Sequence, residues 1–172
     1  MRFQATCYRA HEPKWSFDPV SGDGAAIYGA RFNPKGMPAL YLALTLEAAV
    51  KEVGLGLGYR IEPYVLCSYQ VDCADVVDLR SDAGCLEYGV APEDLSCAWK
   101  SAVLERREPA SWQLARGLIV RGIAGVLVPS FAPGAIQRDE NLVLWDWSER
   151  PPHQVRVFDP SGRLPRNQLS WE

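Results

Sequence analysis

Three side chains of unlike chemistry fall close together in the stretch YGARFNPKGMPALYLALTLEAAVKEV, from Tyr28 to Val53: Arg31 in a glycine-flanked turn, Tyr41 in a short apolar run, and Glu52 near the end of an amphipathic segment. A guanidinium forks onto phosphate oxygens, an aromatic face accepts a flat cation, and a carboxylate stabilises developing positive charge. An anion clamp, a stacking plate and a charge stabiliser are the set that a nucleotide-cleaving site requires. Each residue alone has a plainer reading. Loop arginines are commonly solvated, a tyrosine in an aliphatic strand is commonly core, and a lone helix glutamate is commonly surface. Arg9 shares the ambiguity of Arg31; Ser130, after Val128 and Pro129, reads as a cap or turn residue, and Asn141 as a partner for loop backbone.

The elements that must position these residues follow from pattern. Alternation over Phe3 to Arg9 predicts a strand, and Pro13, Pro19, Gly22 and Gly24 predict a long loop from His11 to Gly24. Asn33 to Gly36 make a turn into the strand Ala39 to Ala43. Thr45 then caps a helix, Leu46 to Val53, with an apolar stripe of Leu46, Ala49, Val50 and Val53. Glu52 lies about 110° from the centre of that stripe, on the flank of Ala48, without a partner in the helix. Glu47 lies on the opposite flank, where the spacing predicts an exposed pair with Lys51.

Further strands are expected at Tyr64 to Val71, Val76 to Leu79, Gly125 to Val128, the LVLW run after Asn141, and Val155 to Phe158. Arg80 to Pro92 reads as irregular, with a turn of helix around Cys85. One helix is expected from Pro92 through Leu95 and Trp99, and another after Ser111 up to Gly122. Phe131 to Glu140 is a loop, and a polar tail starts at Pro160. With no repeat or linker, the expectation is a single α+β domain over residues 1–172, with a core at 1–158 and a tail at 159–172.

Composition excludes several classes. At 172 residues, with 48% hydrophobic residues and six tryptophans, the chain buries a core of its own. A net charge of -3 without a Lys or Arg run gives no footprint for direct nucleic-acid binding. Five cysteines lack a CxxC pair, and only His11 and His153 are available as imidazole ligands, so neither a disulfide framework nor a metal site is expected. The cysteines read as reduced and buried in a cytoplasmic protein; no signal peptide or membrane span is apparent. GxGxxG, P-loop, GxSxG and HExxH motifs are all absent.

Taken together, Tyr8-Arg9, GARFNPKGMPALYLA, the helix bearing Glu52, VPS at Val128 to Ser130 and NLVL from Asn141 occur in the order found in the RES domain family of bacterial toxins, which the chain resembles over nearly its whole length. The arginine, glutamate and serine that name the family fall at Arg31, Glu52 and Ser130. Phe32 stands where the family more often has Trp. The resemblance implies a fold like that of ADP-ribosyltransferase toxins, with a mostly antiparallel β core flanked by helices. It implies NAD as substrate without a metal, an Xre-type helix-turn-helix antitoxin as partner, and a homodimer within the antitoxin complex. On this reading Glu52 stabilises the cationic sugar and binds a ribose hydroxyl, Tyr41 faces the nicotinamide, Arg31 and Arg9 hold the pyrophosphate, and Ser130 and Asn141 fix ribose or amide orientation. The ADP-ribose acceptor is left open among protein, phosphate and water. A noncatalytic module that binds a nucleotide or a partner is the alternative.

Overall fold

The computed structural model describes residues 1–54 and 62–171. Its strands are β1 (Phe3–His11), β2 (Leu40–Ala43), β3 (Val65–Cys73), β4 (Val76–Asp78), β5 (Gly125–Pro129), β6 (Glu140–Leu144) and β7 (His153–Val157). Its helices are α1 (Asp23–Tyr28), α2 (Leu46–Val53), α3 (Asp82–Tyr88), α4 (Pro92–Ser96), α5 (Trp99–Leu104) and α6 (Ala110–Val120). The strands form one sheet in the order β4-β5-β6-β2-β1-β3-β7. Only β4 and β5 run parallel; the other neighbours are antiparallel. The α+β expectation with a mostly antiparallel core holds. Among the described residues no helix is long and apolar enough to cross a membrane.

Strand alternation sorts side chains into two packed faces. Leu40 and Leu42 of β2, Leu127 of β5, and Leu142 and Leu144 of β6 join Cys7 and Tyr69 in one apolar cluster. Their neighbours Val126, Val128 and Val143 enter a second cluster with Phe32, Leu79 and Leu118 on the opposite face. Strand β5 is therefore buried on both sides, which explains why its sequence is an unbroken apolar run.

Pairing is uneven across the sheet. β1 and β3 are in register from Phe3↔Cys73 to His11↔Val65, whereas β1 meets β2 at the single pair Tyr8↔Ala43. Beyond that pair the two strands part, and a cleft opens at the seam.

Several local expectations are corrected. The loop after β1 contains a 3-10 turn at Pro13–Trp15, and its end is the start of α1. The turn of helix expected around Cys85 is present and longer than a turn: Asp82–Tyr88 form α3, capped by Ser81 Oγ, which accepts from Gly84 N at 3.2 Å. The helix expected from Pro92 through Trp99 is two helices, α4 and α5, interrupted at Cys97 and Ala98. The last strand starts at His153, two residues early, and the tail is not wholly polar in role, because Leu164 packs against the first apolar cluster.

Candidate active site

Helix α2 has the limits that its cap dictates: Thr45 Oγ1 accepts from Ala48 N at 3.1 Å. Its buried face differs from the expected stripe. Ala48 and Ala49 are buried against Ala43 and Tyr8, while Leu46 and Val50 remain 46% and 42% exposed. Side chains as small as alanine let a helix pack close to a sheet, and α2 is turned with Ala48 and Ala49 inward. That rotation carries Glu52, on the flank of Ala48, to the edge of the cleft. It also overturns the Glu47–Lys51 pair, because Lys51 Nζ instead reaches Asp139 Oδ2 at 2.6 Å.

Register supplies the floor. Tyr8↔Ala43, Ala43↔Asn141 and Asn141↔Val128 form one row across four strands, so these side chains share a face. Tyr41↔Val143 forms the next row on the same face. Ser130 follows β5 two residues past Val128. Here Glu52 Oε1 accepts from Ser130 Oγ at 2.7 Å and from Asn141 Nδ2 at 2.5 Å. Ser130 Oγ in turn accepts from Ala132 N at 3.2 Å. Asn141 Oδ1 is buried at this point with no hydrogen-bond partner.

Arg31 arrives from the loop between α1 and β2. Gly29 ends α1 at φ 70°, ψ 156°, a conformation suited to glycine, and turns the chain toward the sheet. The loop is held by side chains from distant elements: Ser111 Oγ donates to Arg31 O at 2.5 Å, Trp112 Nε1 to Ala30 O at 2.8 Å and Trp145 Nε1 to Phe32 O at 3.0 Å. The guanidinium lies over the Phe131 ring, with Cζ 4.4 Å from the centroid, and Nη1 donates to Cys97 O at 2.7 Å and Leu95 O at 3.2 Å. These carbonyls are released where α4 stops, so Arg31 fixes the break between α4 and α5 and is not a freely solvated loop residue. Burial lowers its pKa from the ordinary arginine value, opposed by Cys97, Glu52 and Tyr41.

Tyr41 lines the cleft with its ring, but its hydroxyl is engaged inside the protein. It accepts from Phe32 N at 3.0 Å and donates to the buried Asn33 Oδ1 at 2.8 Å, buttressing the Arg31 loop. Burial raises the phenol well above its usual range, so it stays protonated and is no base. Arg9 follows the alternation of β1 onto the face of Cys7 and Tyr69. Its Nη1 donates to Ser21 O at 3.0 Å and Pro19 O at 3.3 Å, and burial lowers its pKa. It reaches the cleft rim while anchoring the loop before α1.

The structure thus gathers Arg31, Tyr41, Glu52, Ser130 and Asn141 at one side of the seam, with Arg9 behind β1. The cleft measures about 680 Å³ and is walled by the Cys97 to Ser101 segment opposite Glu52. That size suits a nucleotide-sized ligand. Phe131 was missed in sequence, although an aromatic directly after Ser130 in a loop was the available signal. The Cys97 wall had no local signal, since it depends on Arg31. Among the described residues no group of His, Cys, Asp or Glu is arranged to hold a metal.

The profile of the RES domain family matches residues 6–167. A protein named Toxin Res from Photorhabdus laumondii subsp. laumondii is 34% identical over 82 residues, 44% of this chain and 53% of that relative, so the match spans about half of the relative's length. The crystal structure of the M. tuberculosis MbcT-MbcA toxin-antitoxin complex contains a chain that superposes with a TM-score of 0.66 and 25% identity, covering 92% of this chain and 84% of the other.

Proposed function

The chain belongs to the RES domain family, and on that premise we propose that it is the toxin of a toxin-antitoxin pair that cleaves the nicotinamide N-glycosidic bond of NAD, transfers ADP-ribose to an acceptor and so inhibits growth. The observation that carries this reading is the Glu52 cluster in the cleft: one carboxylate oxygen held by Ser130 and Asn141, beside a buried amide oxygen that lacks a donor. A buried acceptor left unpaired is costly and is satisfied when a ligand brings an N–H or O–H. Both the carboxamide and the ribose hydroxyls of NAD offer one.

The residues divide the work. Bond cleavage builds positive charge on the ribose, and the fixed carboxylate of Glu52 stabilises it without reorganising. Ser130 and Asn141 hold that carboxylate in place, and Asn141 Oδ1 is the acceptor that orients the substrate. Arg31 retains Nη2 and Nε for the pyrophosphate while Nη1 stays on the carbonyls of Leu95 and Cys97. The Tyr41 ring offers its face to the nicotinamide, and Arg9 supplies positive potential at the rim. No metal is assigned a part.

The superposed toxin-antitoxin complex supports an antitoxin partner here also; we assign it to the Xre helix-turn-helix type, acting on a homodimeric toxin in the cytoplasm. The test uses pure protein and NAD labelled in the adenylate half, with and without phosphate and cell lysate. Free ADP-ribose, its phosphorylated form, or a labelled protein band each identify one acceptor. NAD intact in every condition overturns the enzymatic reading in favour of a noncatalytic binding module.

A further inference from the structure

Lys51 and Glu52 are consecutive on α2, and both reach the connection between β5 and β6. Lys51 Nζ lies 2.6 Å from Asp139 Oδ2, and Asp139 is only 2% exposed. The same carboxylate oxygen accepts from Ile136 N at 2.8 Å, and the main-chain carbonyl of Asp139 accepts from Ser130 N at 2.7 Å. Ser130 Oγ then returns to Glu52 Oε1 at 2.7 Å. Lys51 to Asp139, Asp139 to Ser130, Ser130 to Glu52 and the peptide bond back to Lys51 close a ring. Neither Lys51 nor Asp139 lines the cleft.

We propose that Lys51 and Asp139 are positioning residues for the cleavage chemistry: the pair clamps the β5–β6 connection to α2 so that the Ser130 hydroxyl meets Glu52 and Phe131 lies under Arg31. The chemistry it serves rests on the NAD-cleaving reading above. An ordinary surface pair joins two mobile, solvated side chains and fixes nothing. This pair differs on both counts. One partner is withdrawn from water and tied by its own backbone to the serine of the site; the other is the residue next to the catalytic carboxylate. Small misplacements of such groups are expensive in rate, because the carboxylate must meet the sugar at the moment charge develops. Asp139 also accepts from Ile136 N, so it braces the Ile136–Asp139 turn at the end of the same connection that starts with Phe131, the ring on which the Arg31 guanidinium rests.

Lys51→Met, Asp139→Asn and Lys51→Arg separate positioning from simple structural support. Expected for Lys51→Met is a fall in kcat of about 10- to 100-fold with KM for NAD held within about threefold, and recovery of most of the rate in Lys51→Arg. In a Glu52→Gln background, Lys51→Met should remove nothing more, since both act through one group. A raised KM at unchanged kcat, additive losses in the double variant, or loss that only tracks a lower folded fraction overturns the proposal. A second readout needs no substrate: the carboxyl 13C resonance of Glu52 should move in Lys51→Met and Asp139→Asn and return in Lys51→Arg. If the parent leaves NAD intact, the NAD reading fails and this resonance alone decides the clamp; an unmoved Glu52 signal overturns it. Should Lys51→Met not fold, Lys51→Ala, which likewise removes the donor to Asp139, takes its place in every comparison.

Discussion

Strand β6 contributes to two regions of unlike character. On one face Leu142 and Leu144 are fully buried in a cluster with Leu40, Leu42 and Tyr69. On the other face Asn141 stands in a row with Ala43, under a helix that presents Ala48 and Ala49, at the seam where β1 and β2 meet through one pair. The first region is large, fully buried side chains; the second is small side chains, a parted seam and polar groups facing a cleft. Adjacent residues of a single strand thus serve stability on one side and, on the proposed function, chemistry on the other. The polar face is tolerable because β6 is held elsewhere, by β5 along its whole length and by the leucines beneath.

Substitutions on the two faces should separate accordingly. The largest effect is expected for Leu142→Ala, which leaves a cavity in the packed face and should cost about 2–5 kcal/mol in urea unfolding while the molecules still folded turn over NAD at the parent rate. A variant that keeps its stability would break the comparison from the packed side. Glu52→Gln should do the reverse. Glutamine still accepts from Ser130 and Asn141 but lacks the charge, so stability is kept and NAD cleavage falls by about 10²- to 10³-fold. Glu47→Gln, on the outer flank of the same helix, should leave both unchanged, and equal behaviour of the two would remove Glu52 from the chemistry. Arg31→Ala belongs to both regions. It should weaken NAD binding in a titration and also destabilise by about 1–3 kcal/mol, because the Leu95 and Cys97 carbonyls lose their donor. Weakened binding with no change in stability would show that those two contacts are not holding the wall.

The limits of α2 were legible in the sequence because Thr45 is a local cap, and the buried strand β5 because an apolar run ending in proline has few other readings. The facing of α2 was not legible, since hydrophobicity favours Leu46 and Val50 inward while close approach to Ala43 favours the alanines. α1 escaped notice because a six-residue helix among glycines and prolines carries no periodic signal. The break between α4 and α5 depends on a guanidinium more than sixty positions away in sequence, and the Lys51–Asp139 pair joins positions further apart still. Arg31, Glu52 and Ser130 were marked by family resemblance, but the orphaned oxygen of Asn141 and the Phe131 plate are consequences of register and loop packing that only three-dimensional structure expresses.

On the proposed function, the parted seam binds NAD and Glu52 acts on the bond being broken, not on the intact substrate. Titration of NAD into folded, isotopically labelled Glu52→Gln protein tests this most directly. The expected result is saturable one-to-one binding with an affinity close to that of the parent, the Asn141 side-chain amide and the Arg31 guanidinium shifting together, and the NAD recovered uncleaved. Absence of binding, or binding whose shifts fall away from Asn141 and Arg31, would contradict it.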